Sequence, residues 1–136
     1  MSTFFLVRHA SAGSRREWVG DDRLRPLDER GEKQARRLVR ELEGHRLDRI
    51  VSSPYVRCAE TVGPLAAKRS LPVDERVELA EGATRSEAFA LLEELQGSDF
   101  LLCTHGDVIL ELLGEGMKKG ELRVVEWKSD RIRTVG

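Results

Sequence analysis

The chain has 136 residues, 35% of them charged and 40% hydrophobic, with a formal net charge of −1. That length suits one domain, residues 1–136, able to bury roughly two-thirds of its unfolded surface. A charge so near zero gives no global field to hold a nucleic-acid polymer or an anionic membrane, and no apolar run approaches the ~20 residues of a membrane span.

In chain order, Thr3-Phe4-Phe5-Leu6-Val7 is a continuous apolar run that leads straight into Arg8-His9-Ala10. Such a run reads as a strand buried on both faces of a parallel sheet. A polar loop follows from about Ala10 to Leu27, with Gly13, Gly20, Pro26 and the large aromatic Trp18 in it. Asp28 offers an N-cap for a helix to about Glu43, with Ala35, Leu38, Val39 and Leu42 on one face and Gly44 as its stop. A short strand centres on Ile50-Val51. Ser53-Pro54 places a capping hydroxyl before a proline at the first helical position. The helix that starts there carries Arg57 early and is expected to bend or restart at Gly63-Pro64. Leu71-Pro72-Val73 reads as a short strand or an extended link, and Arg76 to Ala83 shows no assignable period.

Thr84-Arg85-Ser86-Glu87 is a capping box for a helix to about Gln96, with Ala88, Leu91, Leu92 and Leu95 inward and Gly97 at its end. Phe100-Leu101-Leu102-Cys103-Thr104 then repeats the opening pattern and runs into His105-Gly106-Asp107, followed by a helix to about Leu113. Glu121–Trp127 and Arg131–Val135 read as a hairpin turning at Lys128-Ser129-Asp130. Strands alternating with helices and closed by a hairpin predict an α/β three-layer sandwich with a mostly parallel central sheet. The sequence shows neither an internal repeat nor a linker.

Arg8, His9, Arg57 and His105 each lie just after a strand or near the start of a helix that follows one. A parallel sheet would bring them to one rim, where the chemistry of open α/β sheets collects. Two guanidinium forks and two imidazoles suit a dianionic phosphoryl group. A histidine can attack phosphorus and split one difficult transfer into two easier ones. Gly106 would let backbone amides at a helix N-terminus approach the same phosphate.

Leu6-Val7-Arg8-His9-Ala10 resembles the Arg-His motif of the histidine phosphatase (phosphoglycerate mutase-like) superfamily. Ser52-Ser53-Pro54-Tyr55-Val56-Arg57-Cys58-Ala59-Glu60-Thr61 is similar to its second motif, and Cys103-Thr104-His105-Gly106-Asp107 to its third. Leu27-Asp28-Glu29-Arg30-Gly31-Glu32-Lys33-Gln34-Ala35 resembles the start of the family's first helix. The resemblance implies a phosphatase in which His9 becomes phosphohistidine while Arg8, Arg57 and His105, with Gly106, bind and polarise the phosphoryl group. The short length resembles the small phosphohistidine phosphatases. The loop from Gly13 to Asp28 is also similar to the phosphatase half of certain Nudix–phosphatase proteins that act on nucleotides. The mutase branch has an Asn in the loop after the Arg-His motif; this chain contains no Asn at all. By the same likeness a Glu or Asp between the second and third motifs protonates the leaving oxygen. Glu81 is the candidate, Glu78 the fallback, and the short phosphohistidine phosphatases often have no clear one. The short stretch between those motifs implies an open, shallow site.

Other readings of the same residues are plainer. Arg15, Arg16 and Trp18 read first as a solvated loop, with substrate contact by Arg15 and Trp18 the alternative. Cys58 and Cys103 are too few for a disulfide framework and neither opens a Cys-x5-Arg loop, so they are expected to be reduced, packed thiols. His9, His45 and His105 do not make a metal cluster and no phosphate-loop signature is present, so no metal or cofactor is expected. No secretory leader is read at the start, and a cytoplasmic protein, monomeric or weakly oligomeric, is expected. Its partner would be a phosphorylated protein, a small phosphorylated molecule or a nucleotide. A non-catalytic module binding phosphorylated ligands in the same pocket is the rival from another class.

Overall fold

The computed structural model describes residues 2–129 and 131–135. The apolar run at the start extends as β1 (Ser2–Arg8), and the second such run as β4 (Phe100–Thr104), buried at all five positions. With β2 (Arg49–Ser52), β3 (Val73–Glu75), β5 (Leu122–Lys128) and β6 (Arg131–Val135) they form one sheet ordered β3-β2-β4-β1-β5-β6. The first four strands in that order run parallel, and β5 and β6 are antiparallel. The hairpin turn expected at Lys128-Ser129-Asp130 is seen to Ser129, whose φ is +55°, and Asp130 lies outside the described residues.

Alternation along the strands assigns the two faces, as successive side chains point oppositely. Val7, Ile50, Leu101 and Cys103 pack on α1 (Glu29–Glu41) and α2 (Val56–Arg69) through Leu38, Cys58, Val62 and Leu65. Phe4, Leu6, Val51 and Leu102 pack on α3 (Arg85–Leu95) and α4 (Gly106–Leu113) through Leu91, Leu92, Leu95 and Ile109. Helices therefore cover both faces of the sheet, giving the three-layer α/β arrangement. Asp28 caps α1 by accepting from the Gly31 amide at 2.8 Å. Thr84 and Glu87 form the expected reciprocal capping box. Among the described residues no helix is long and apolar enough to cross a membrane.

Two local expectations give way. The helix α2 continues through Gly63-Pro64 as one 14-residue helix. A proline ring disfavours helical backbone before it by meeting the preceding Cβ, and Gly63 has none. Val62 and Leu65, both fully buried, hold the two sides of the proline in place. Nor does Ser53 cap that helix with Pro54 in its first turn. The helix starts at Val56 after Tyr55, and the Ser53 hydroxyl instead accepts from the Tyr55 amide ahead of the helix and bonds a histidine across the sheet rim. The stretch from Arg76 contains a 3-10 turn at Val77–Leu79, fixed by the Thr104 hydroxyl donating to the Leu79 carbonyl.

Candidate active site

Register brings the chemistry together. Arg8 lies opposite Thr104, and Ser52 opposite Cys103, so β1, β4 and β2 end level at their carboxyl ends. The sheet hydrogen bonds run one step further, His9 N–H to Thr104 and Ser53 N–H to Cys103. Thus His9, Ser53 and His105 leave the sheet side by side, and Arg57 reaches them from the first turn of α2. His9, Arg57 and His105 are 6%, 0% and 2% exposed.

The His9 ring is oriented by its Nδ1, 2.9 Å from the Ala10 carbonyl oxygen. Only a protonated nitrogen can make that contact, so Nδ1 carries the hydrogen and Nε2 keeps its lone pair. Burial, followed by the charges of His105, Arg57 and Arg8, outweighs the Ala10 hydrogen bond and lowers the His9 pKa to about 3. The ring is neutral at pH 7. The Ala10 amide is itself held by the Thr61 hydroxyl, which donates onward to the Arg57 carbonyl, tying the His9 backbone to α2.

Arg8 is fixed by a 2.7 Å bond from Nη1 to the Met117 carbonyl, and its Nε is buried without a partner. A Cβ on Gly106 would stand 2.9 Å from Arg8 Nη2 and 3.0 Å from Cζ. Gly106 is therefore the residue that lets this guanidinium lie against the start of α4. His105 bonds through Nε2 to the Ser53 hydroxyl at 2.8 Å, with the Cys58 thiol at 3.6 Å, while its buried Nδ1 has no partner. Its ring lies 5.4 Å from that of His9 and edge-on to Tyr55.

Arg57 lies under the Asp22 and Glu81 carboxylates. Its Nη2 donates to Glu81 at 2.8 Å and to Asp22 at 3.1 Å, and its Nη1 to the Asp22 carbonyl. Arg15 closes the network from above, 2.7 Å from Glu81 and 3.7 Å from Asp22, and the buried Arg25 donates to Asp22 at 3.0 Å. Burial alone would raise the Asp22 pKa, but hydrogen bonding to Arg25 and the charges of Arg57, Arg25 and Arg15 leave it below its ordinary value. The Glu81 loop is anchored where the Gly82 amide donates to Asp107 at the start of α4. Two carboxylate-bearing loops and Arg15 thus roof the pocket, where the sequence suggested an open one.

The remaining candidates divide. Arg15 joins the cluster. Trp18, 37% exposed, donates its indole N–H to the Asp21 carbonyl of its own loop. Glu78 lies outside the cluster and pairs with Arg76, whose hydrogen bonds hold it below the usual carboxylate range. Cys58 and Cys103 are buried thiols, and burial pushes Cys103 well above its ordinary pKa. Among the described residues no group of His, Cys, Asp or Glu is placed to hold a metal ion. Asp22, Arg25, Ser53 and Tyr55 were not among the sequence candidates. The pair Asp21-Asp22 in a Gly-bounded loop was a visible signal for the first, and Ser53 beside the Arg57 motif for the third.

Residues 4–88 match the family model described as the histidine phosphatase superfamily, branch 1. An 8-oxo-(d)GTP phosphatase of Mycolicibacterium smegmatis is 34% identical over 126 residues, covering 89% of this chain. The chain spans only 39% of that relative's length. In structure, the protein histidine phosphatase SixA complexed with tungstate has a TM-score of 0.81 at 22% identity, over 99% of this chain and 95% of its own. The alpha-ribazole phosphatase from Shigella flexneri has a TM-score of 0.77 at 17% identity, over 98% and 95%. At such identities the two structures establish a common fold.

Proposed function

The chain belongs to the histidine phosphatase superfamily, branch 1, and from that membership we propose that it hydrolyses phosphoryl groups through a phosphohistidine formed on His9. The observation that carries the reading is the hydrogen bond between His9 Nδ1 and the Ala10 carbonyl. It leaves Nε2 unprotonated and directed away from the backbone, as a nucleophile needs.

In the first step His9 Nε2 attacks phosphorus, the bond to the leaving group breaks, and its electron pair departs with that group. The ring becomes a phosphorylated imidazolium that keeps its Nδ1 hydrogen, and the Ala10 carbonyl stabilises the new positive charge. Water then attacks phosphorus, the P–N pair returns to Nε2, phosphate leaves and a proton is released. Arg8, Arg57 and His105 surround the transferred group and stabilise charge on its oxygens, the largest contribution available to such a reaction. For a leaving oxygen that needs a proton we assign the donor role to Glu81, the acidic side chain that lies beside Arg57. Four phosphate-directed side chains perform this chemistry without calling on a metal.

His9→Ala is expected to abolish turnover of an aryl phosphate and labelling of the protein by a phosphorylated substrate, while the circular dichroism spectrum is unchanged. Retention of more than a small fraction of wild-type rate would refute the assignment. A wild type that turns over no phosphorylated substrate would instead leave the non-catalytic binding module as the better reading. The substrate classes are a phosphohistidine protein or small phosphorylated molecule and, second, a nucleotide. The nucleotide reading is favoured by the 34% identity to a protein described as an 8-oxo-(d)GTP phosphatase.

A further inference from the structure

Ser53 lies just past the end of β2, fully buried, with its backbone N–H held by the Cys103 carbonyl of β4. Its hydroxyl meets three groups. It accepts from the Tyr55 amide at 3.2 Å and lies 2.8 Å from His105 Nε2. The third is the Cys58 thiol, which itself lies 3.6 Å from Nε2. Burial alone would raise the Cys58 pKa, but hydrogen bonds with Cys103 and His105, the charge of His105 and a hydrogen bond with Ser53 bring it below the ordinary thiol value. Nε2 of His105 is therefore engaged, whereas Nδ1 of the same ring is buried without a partner. Nδ1 is the ring nitrogen left to meet a phosphoryl oxygen.

Whether that nitrogen carries a hydrogen follows from the hydroxyl, which has one hydrogen and two acceptor positions. The Tyr55 amide takes one of those positions. If the hydroxyl donates to Nε2, the ring is neutral and its hydrogen is on Nδ1. If Nε2 donates instead, both acceptor positions are filled and the hydroxyl hydrogen must turn to Cys58. A neutral thiol is a weak acceptor and an ionised one a strong one, so this second arrangement pairs a thiolate with an imidazolium. An imidazolium has hydrogens on both nitrogens. The two arrangements differ by one proton passed from Cys58 to His105, with no change in total charge, and both keep the Nδ1 hydrogen. A neutral ring with a bare Nδ1 would exchange the O–H to nitrogen bond for a weaker contact with the thiol and leave a buried lone pair unmatched.

We propose that Ser53 is a positioning residue for phosphoryl transfer, its hydroxyl holding His105 so that Nδ1–H donates to an oxygen of the transferred group. The inference rests on the phosphatase reading above and adds the residue that sets the proton on His105. The two histidines are then used in opposite senses, each decided by what its other nitrogen bonds. At His9 the Ala10 carbonyl fixes the hydrogen on Nδ1 and frees Nε2 to attack. At His105 the Ser53 hydroxyl occupies Nε2 and leaves Nδ1 to donate. Without the hydroxyl, the thiol is the remaining partner of Nε2 among the described residues. A ring that carries its hydrogen on Nε2 would then turn a lone pair, not a donor, toward the phosphoryl oxygens.

The test uses the full chain with nitrogen-15 in its histidines, the His105 ring being assigned by through-bond correlation to its backbone. In the wild type the Nδ1 signal should be that of a protonated nitrogen, and added orthophosphate should shift it. A bare Nδ1, or an Nδ1 signal that orthophosphate leaves unmoved, would overturn the proposal, and neither measurement needs a variant to fold. Ser53→Ala should populate the tautomer with hydrogen on Nε2. It should also lower kcat/KM for an aryl phosphate about tenfold, less than the ~10² or more expected for losing an oxyanion donor outright. A loss of activity with the tautomer unchanged would make Ser53 a packing residue only, and wild-type activity in Ser53→Ala would remove its part in the transfer. Failure of the phosphatase reading looks different: no His9-dependent turnover of any substrate, with the tautomer and the orthophosphate shift still read in the wild type.

Discussion

At the scale of single residues, the site depends on keeping one imidazole neutral in a positive environment. His9 is nearly buried, and burial with three cationic or potentially cationic neighbours lowers its pKa from 6.5 to about 3. Protonation is therefore resisted in the folded chain and free in the unfolded one. Between about pH 3 and 6.5 the unfolded state binds one more proton at this position, so this group makes the fold less stable as pH falls. The slope is about 1.4 kcal/mol per pH unit across that window, and no contribution is lost above it. Urea midpoints measured from pH 7 down to 4 for wild type and His9→Gln should diverge accordingly, the wild type falling faster. Parallel curves would mean that His9 is charged or solvated in the folded state. The same low pKa predicts that the acid limb of kcat/KM, wherever it falls above pH 4, belongs to another group.

At the scale of elements, α1 is positioned by a glycine contact rather than by its apolar stripe alone. A Cβ on Gly31 would stand 1.9 Å from the Ser11 carbonyl oxygen, which is backbone and cannot rotate away. Alanine gains up to ~1 kcal/mol over glycine inside a helix, while forcing atoms into a packed contact costs ~1–3 kcal/mol. At 1.9 Å the second effect wins. Gly31→Ala should destabilise the fold by about 1 kcal/mol or more in urea, and a more stable variant would show that α1 and the Ser11 loop move apart freely. Elements of this kind were readable to different depths. The strands β1 and β4 are plain in the sequence because burial on both faces leaves unbroken apolar runs. The helices α1 and α3 are plain because Asp28 and Thr84 cap them locally. Ser53-Pro54 misleads because it satisfies a local capping rule, whereas its hydroxyl is claimed by His105, distant in sequence and adjacent only through the β2–β4 register.

At the scale of the molecule, the pocket's floor and its roof differ in origin. The floor comes from the ends of parallel strands, and strand pattern alone places Arg8, His9 and His105 together. The roof comes from loops after β1 and β3 that meet over Arg57 and through the Arg15–Glu81 pair, and no periodicity predicts that Asp22 and Glu81 share one guanidinium. The roof also sets a condition on binding: a phosphoryl group that takes Arg57 must displace carboxylates from it and tolerate their charge. Both effects oppose an anion. Neutralising the pair as Asp22→Asn/Glu81→Gln should therefore strengthen inhibition by vanadate, which can adopt the five-coordinate geometry of phosphoryl transfer. The expected gain is about tenfold or more, on the order of 1.4 kcal/mol. Turnover of alkyl phosphates should move the other way, falling by ~10² if Glu81 supplies the proton to the leaving oxygen. Phosphoramidates and aryl phosphates, whose leaving groups need less help, should fall far less in the same variant. Tighter vanadate with no loss on alkyl phosphates would make the two carboxylates a barrier to anions and nothing more. Unchanged vanadate affinity would show that the phosphoryl group reaches His9 without disturbing Arg57 at all, and that the roof stands clear of the reaction.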